Sequence, residues 1–373
     1  MKTFPIQIEK SSQEAWKAID FTHLEFGRIP TDHMFVADFK CGAWQNARII
    51  PYSPMPLSPF TSALHYGQTV FEGLKAYRFP DNRISIFRPE SHAARFNHSL
   101  ERMCMPIVPL ELFMNALDSL IRLDAHWVSD TEGTSLYIRP FMFATEDKLG
   151  VQIADHYRFM IVCSPVGKYY SKFLRVKVEQ KYTRAFPGGT GFAKCGGNYG
   201  VSFYPYKEAH DEGFDQILWT DGATHQFLEE SGTMNVGFII GNKFITPRLI
   251  ETILAGMTRD SLLHIAADEG LSVEERPIPF TEITAAIQSG ERVEAFGIGT
   301  AATIAPIKEI SVNGSLFSTY IEPDATMFRL KQRLEAIRLG KSPDHWHWNH
   351  FVKGTSKNWF ARMKSNEAEP EQE

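Results

Sequence analysis

Between Thr31 and Pro51 the apolar residues fall into two short runs, "HMFVADF" and "NARIIPY", split by polar and glycine residues, which predicts a pair of hairpin strands. The signal is clearer in "LKAYRFPDNRISIFRP", where Pro80-Asp81-Asn82 supplies turn chemistry between two strands. The period then lengthens. "PESHAARFNHSLERM" opens on Pro89, suited to a first helical position, and "LELFMNALDSLIRL" repeats apolar residues at i, i+3 and i+4, so two helices are predicted. After them, "SLYIRPFMF" and "YRFMIVCSPVG" are nearly unbroken apolar runs, expected as largely buried strands.

Residues 164–190 mix one strand pattern with Pro, Gly and Lys at both ends, and a domain boundary is placed there, between about 168 and 186. The second half predicts a helix after Gly200, strands "DQILWT" and "HQFLE", a helix near Gly256, the strand "VEAFGIG" and a final helix "ATMFRLKQRLEAIRL". The expected organisation is therefore α+β: a smaller α/β domain over 1–168, a linker over 169–186, a larger domain over 187–363 and a frayed tail over 364–373, too polar to pack.

Length supports two domains, since 373 residues exceed what one hydrophobic core usually holds. A net charge of −5 removes the basic face that non-specific binding of nucleic acid or an anionic membrane requires, so a small-molecule partner is expected. The N-terminal residues carry no apolar run of signal-peptide length, and no stretch approaches the roughly 18 apolar residues of a membrane span, so the expected location is the cytoplasm. Cys41, Cys104, Cys163 and Cys195 are scattered and read as reduced thiols. The two N-x-S sequons, at Asn97 and Asn313, then carry no weight.

The candidate chemistry centres on "GFAKCGGNYG", which sets Lys194 among four glycines. A P-loop requires glycine where Ala193 stands and a hydroxyl where Cys195 stands, so triphosphate binding is rejected. "GIGTAA" at 297–302 matches a dinucleotide fingerprint literally, but the β-branched residues and Pro306 that follow deny it the helix it needs. "HWHWNH" clusters His345, His347 and His350 without a completing carboxylate or thiol, and reads as a half-buried terminal strand; no metal is expected. What remains for Lys194 is either a solvated turn, the ordinary fate of lysine, or an amine that forms an imine with a carbonyl compound, glycines allowing close approach of a flat cofactor.

Six segments, "ALHYGQTVFEGLKAYR", "FRPESHAARFNHSLERM", "TSLYIRP", "KCGGNYG", "EESGTMN" and "FGIGTAA", occur in an order and spacing that resembles the branched-chain amino acid aminotransferases, over roughly residues 20–340. That family has the two-domain fold type IV of pyridoxal-phosphate enzymes, the D-amino acid aminotransferase-like fold, with the cofactor at the domain interface. The resemblance implies that 187–363 is the cofactor-binding domain and that Lys194 is the Schiff-base lysine and proton carrier. By the same resemblance Glu230 faces the pyridine nitrogen, with Glu229 as the rival that strand alternation points away. Arg95, the amides of Met257 and Thr258 at a helix start, and Thr300 are implied for the phosphate, and Tyr199 for the ring oxygen.

For the substrate the resemblance implies an aliphatic lining of Phe26, Tyr66, Phe71, Tyr137, Tyr169 and Thr233, with Arg139 for the side chain of glutamate. The turn at Thr300 and Ala301 is expected to receive the α-carboxylate as an anion nest. "KLGV" resembles a loop that reaches into a neighbouring subunit's pocket, so Leu149 and Val151 imply an obligate homodimer, alone or within a larger homo-oligomer. Ala302 and Ala305 stand where some relatives carry a C-x-x-C pair, so no thiol switch is expected there; Cys195 is expected as buried filler. The expected reaction exchanges the amino group between L-leucine, L-isoleucine or L-valine and 2-oxoglutarate. Alternatives on the same fold are a D-amino acid aminotransferase or a 4-amino-4-deoxychorismate lyase, which lack the "HYGQ" and "YIRP" context, and a non-catalytic scaffold, disfavoured by the presence of Lys194, Glu230, Arg95 and Tyr199 together.

Overall fold

A computed structural model of the chain describes residues 4–167 and 172–355; Tyr169 and the tail over 364–373 lie outside the described residues. The first part supplies β1 (Gln7–Ile8), β2 (His33–Lys40), β3 (Ala43–Pro51), β4 (Thr69–Phe71), β5 (Leu74–Arg78), β6 (Ile84–Phe87), β7 (Ser135–Ala144) and β8 (Tyr157–Val166), with helices α1 (Ser62–Tyr66), α2 (Pro89–Arg102) and α3 (Leu110–Leu123). The later part supplies β9 (Leu174–Glu179), β10 (Gln216–Thr220), β11 (Leu228–Ser231), β12 (Met234–Ile240), β13 (Lys243–Thr246), β14 (Ser272–Glu275), β15 (Val293–Gly299), β16 (Thr303–Val312), β17 (Ser315–Ser318) and β18 (Asn349–Phe351). Its helices are α4 (Gly197–Gly200), α5 (Phe203–Asp211), α6 (Met257–Asp268), α7 (Phe280–Gln288) and α8 (Thr326–Arg338).

Among the described residues the strands form two nine-stranded sheets. One runs β1-β3-β2-β8-β7-β5-β6-β18 with β4 beside β7; the other runs β11-β10-β9-β16-β15-β12-β13-β14 with β17 beside β16. The β2–β3 hairpin closes over Cys41 and Gly42 alone, both at positive φ (52° and 73°), the twist that a two-residue turn needs. Strands β7 and β8 pair along their whole length, Ser135 with Val166 through Ala144 with Tyr157. They lie inside the first sheet, which explains their unbroken apolar runs.

Helices α2 and α3 lay Phe96, Leu100, Phe113, Leu117 and Leu120 on this sheet. Phe159 of β8 is wholly buried and meets the rings of Phe35, Phe96 and Phe113 at 5.6, 5.6 and 5.9 Å. Truncating such a ring costs roughly 3–5 kcal/mol. The second sheet is covered on both faces, as the alternation in β12 requires: Ile239 packs with α6 and α8, Phe238 with α7.

Two features join the sheets. Tyr77 and Phe87, from β5 and β6, belong to the core under α6 and α8. Strand β18 returns to the first sheet and pairs with β6, although its residues fall in the segment expected to form the second domain. Of "HWHWNH" only the end is strand; Trp346 and Trp348 stack at 4.6 Å, and Trp348 packs on Phe87. No helix among the described residues is long and apolar enough to cross a membrane.

Candidate functional site

Lys194 leads into α4 on a loop stitched to the first sheet. The Phe71 amide donates to the Lys194 carbonyl at 3.0 Å, the Gly196 amide donates to Thr69 O at 3.2 Å, and the Lys194 amide donates to Ser99 Oγ at 3.0 Å. A Cβ on Gly196 would lie 2.5 Å from Thr69 Oγ1, so this approach needs glycine. Cys195 is buried in the core of the first sheet as small filler. The Lys194 ammonium donates to Tyr199 Oη at 3.0 Å and sits 4.7 Å from the centroid of the Phe71 ring.

Lys194 opens into a cavity of about 390 Å³ between the two sheets, where Arg95, Tyr199 and Glu230 also lie. Phe26, Phe71, Tyr137, Arg139 and Thr233 form part of its wall, as do Met257, Thr258, Thr300 and Ala301. Helix α6 begins at Met257 with no side-chain cap, and the amides of Met257 and Thr258 have no acceptor among the described residues. Thr300, Ala301 and Ala302 form the turn between β15 and β16, and their amides are likewise free among the described residues. Two backbone anion cradles therefore face one cavity.

Glu230 is buried at the other side. The Leu254 amide donates to its Oε1 at 2.9 Å, and Arg184 Nε stands 3.3 Å from its Oε2. Burial raises its pKa above the ordinary carboxylate value, with Arg184 opposing. Glu229 does not line the cavity and accepts from Thr252 Oγ1, as alternation along β11 requires. Arg95 donates from Nε and Nη2 to Glu72 at 2.6 and 2.9 Å and from Nη1 to Ala255 O at 2.8 Å. Arg139 donates to Tyr137 Oη at 3.1 Å and lies 4.6 Å from the Phe71 centroid; its buried Nε has no hydrogen-bond partner among the described residues.

Three of the expected substrate residues do not line this chain's cavity. Tyr66 ends α1, is 41% exposed and accepts from the Gly150 amide at 2.9 Å, beside the loop expected to reach a neighbouring subunit. Leu149 and Val151 are 52% and 88% exposed on the neighbouring loop and do not line this chain's cavity. Sequence reasoning also missed Glu72, Lys75, Arg184 and Asn235. For Glu72 and Lys75 a signal existed, because a charged residue in or beside a buried apolar strand demands a partner.

Residues 69–310 match the class IV amino-transferase family. Branched-chain-amino-acid transaminase 1 of Bacillus subtilis (strain 168) is 44% identical over 338 residues, 88% of this chain and 94% of that protein. The chain belongs to the class IV aminotransferases. Within that family it is also 42% identical to the branched-chain-amino-acid aminotransferase of Mycobacterium tuberculosis (strain H37Rv), over 87% of this chain and 90% of that one. The fold of this class IV aminotransferase matches the branched-chain enzyme of Thermobaculum terrenum in its PLP form, with a TM-score of 0.71 and 25% identity over 87% of this chain and 99% of that one. The branched-chain aminotransferase of the archaeon Thermoproteus uzoniensis, solved with norvaline, likewise gives a TM-score of 0.71 at 25% identity, covering 86% and 99%.

Proposed function

We propose that this class IV aminotransferase moves the amino group between L-leucine, L-isoleucine or L-valine and 2-oxoglutarate, by a ping-pong cycle on pyridoxal 5'-phosphate. The observation that carries the reading is the meeting, in one cavity with aromatic walls, of Lys194, Glu230 and Arg139, which pairs with no carboxylate among the described residues. The donor set suits the cofactor: Arg95 and the free amides of Met257 and Thr258 match a phosphate, and Thr300 adds a hydroxyl. Glu230 offers a carboxylate for the pyridine nitrogen and Tyr199 a phenol for the ring oxygen. When bound, pyridoxal phosphate supplies the aldehyde and the electron-withdrawing ring that make the Cα proton labile.

This chain's own residues do the rest. The Lys194 amine, held against Tyr199, is the base that takes the Cα proton and the acid that returns it. Arg184 stands beside Glu230 and favours its charged form, the partner for a protonated ring nitrogen. Phe26, Phe71, Tyr137 and Thr233 give an aliphatic side chain an apolar seat, while Arg139 meets the second carboxylate of glutamate. The turn at Thr300 and Ala301 receives the α-carboxylate. The outward apolar faces of Leu149 and Val151 fit a homodimer, in which they reach the partner's pocket, and the protein works in the cytoplasm. We assign residues 1–168, with β18, to the smaller domain and 187–363 to the cofactor-binding domain, to which β9, an inner strand of the second sheet inside the expected linker, also belongs.

The test is the visible absorption spectrum of the purified protein with pyridoxal phosphate, recorded before and after L-leucine, with D-alanine in parallel. Loss of the cofactor band with L-leucine alone is expected. A response to D-alanine alone overturns the substrate, and no cofactor band at all overturns the role of Lys194.

A further inference from the structure

Lys75, in the middle of β5, is buried but does not line the cavity. It stands opposite Tyr137 across the β5–β7 pair, so both project from the same face of the sheet. Its ammonium group donates to the carbonyl of Ala301 at 2.9 Å, a contact spanning 226 positions of sequence. That carbonyl belongs to the turn whose three amides are free among the described residues. Because carbonyl and N–H point opposite ways across a trans peptide, holding the Ala301 oxygen from behind also fixes the direction of the Ala302 N–H.

A second buried cation braces the same turn. Arg338, at the end of α8, donates to Thr303 Oγ1 at 2.9 Å and to Thr258 Oγ1 at 3.3 Å, tying the end of the turn to the first residues of α6. Thr303 is held at φ 62°, a left-handed conformation unusual for a β-branched residue. Among the described residues neither Lys75 nor Arg338 makes an ion pair; the charges that reach Lys75 are Arg338, Glu335 and Lys331, all on α8, with the Tyr77 and Tyr137 phenols nearby. Burial pushes the Lys75 ammonium down to about 7, with Arg338 adding to the effect. Buried positive charge that makes no ion pair among the described residues favours an anion on the far side of the turn it supports.

We infer that Lys75 is a positioning residue for the substrate carboxylate: it pins the Ala301 carbonyl and charges the Thr300–Ala302 turn, so that the free amides of the turn receive the carboxylate. This rests on the transaminase reading above. The test compares wild-type, Lys75→Met and Lys75→Arg holoenzymes in steady-state transamination of L-leucine. It also measures inhibition by 4-methylpentanoate, which has leucine's carbon skeleton and carboxylate but no amine. Methionine fits a buried site, so Lys75→Met is expected to keep its melting temperature and its cofactor band. Its KM for L-leucine and its inhibition constant for 4-methylpentanoate should rise about tenfold or more, with kcat within about threefold. Lys75→Arg should recover most of that loss. An unchanged KM in Lys75→Met, or a loss of kcat and melting temperature without a change in 4-methylpentanoate binding, overturns the inference. Failure of the wild-type enzyme to respond to L-leucine would instead overturn the transaminase reading.

Discussion

Glu72→Gln tests how Arg95 is held. The Glu72 carboxylate has no exposure and accepts from Arg95 at 2.6 and 2.9 Å, from His92 Nδ1 at 2.8 Å and from the Gly73 amide at 2.9 Å. Glutamine keeps the shape, removes the charge and turns a donor toward the Arg95 guanidinium. Removing one partner of a buried ion pair costs about 3–5 kcal/mol, because the remaining charge is left uncompensated. For a protein of this size that corresponds to a fall in Tm of roughly 5 °C. The double variant Glu72→Gln/Arg95→Met removes both charges and should lose clearly less than the sum of the two single losses.

The assay is urea and thermal unfolding of the cofactor-free protein, followed by circular dichroism and tryptophan fluorescence, with the four proteins as a double-mutant cycle. Burial alone would raise the Glu72 carboxyl, but Arg95 and His92 draw it well below the ordinary value of 4.5. The stability it contributes is therefore fully present above pH 4.5 and is lost only as pH falls through the lowered value. The gap between wild type and Glu72→Gln should persist unchanged from neutral pH to about pH 5. A single-variant loss under about 1 kcal/mol, or additive losses in the cycle, would refute the idea that Glu72 holds Arg95.

Three further outcomes are expected. Lys194→Ala should abolish steady-state turnover while leaving the far-ultraviolet dichroism intact; residual turnover near the wild-type rate would remove the lysine from the reaction. Arg139→Met should weaken kcat/KM for glutamate and 2-oxoglutarate by about 100-fold and for leucine by far less, and equal losses would mean general damage to the pocket. His350 bonds Asp118 at 2.9 Å and faces Glu90 at 3.4 Å, which raise its pKa from 6.5 to about 9. Its grip on β18 is then complete below pH 6.5 and lost as pH rises through about 9. Amide exchange at residues 349–352, corrected for intrinsic rates, should show extra opening at high pH that disappears in His350→Gln.

Much of the local structure was legible because single periods ran unbroken. The β5–β6 hairpin around Pro80-Asp81-Asn82, the helix opening on Pro89 and the helix starting near Gly256 all have local causes within a few residues. Lys194 was singled out by its glycines and Glu230 by the family resemblance, and the structure brings both to one cavity. What stayed hidden depends on contacts between distant segments. Neither the return of β18 to the edge of β6 nor the Lys75 contact with Ala301 leaves a local trace. Tyr66 is a related case: the contact of its hydroxyl with the Gly150 amide, 84 positions away, leaves no local trace either. Arg184 carried no signal at all, being one arginine in a mixed segment whose importance comes only from standing beside Glu230.

The loop that carries Lys194 follows the first strand of the second sheet, yet its amides and carbonyl are bonded to β4 and α2, and Cys195 fills the core of the first sheet. The Lys194 amine thus reaches the cavity only when both halves are folded and docked. Capture of the cofactor becomes a report on assembly, and its binding energy is spread over both halves at once. Unfolding of the loaded protein should accordingly run as one transition even though the chain is built on two sheets, with loss of the cofactor signal coinciding with it.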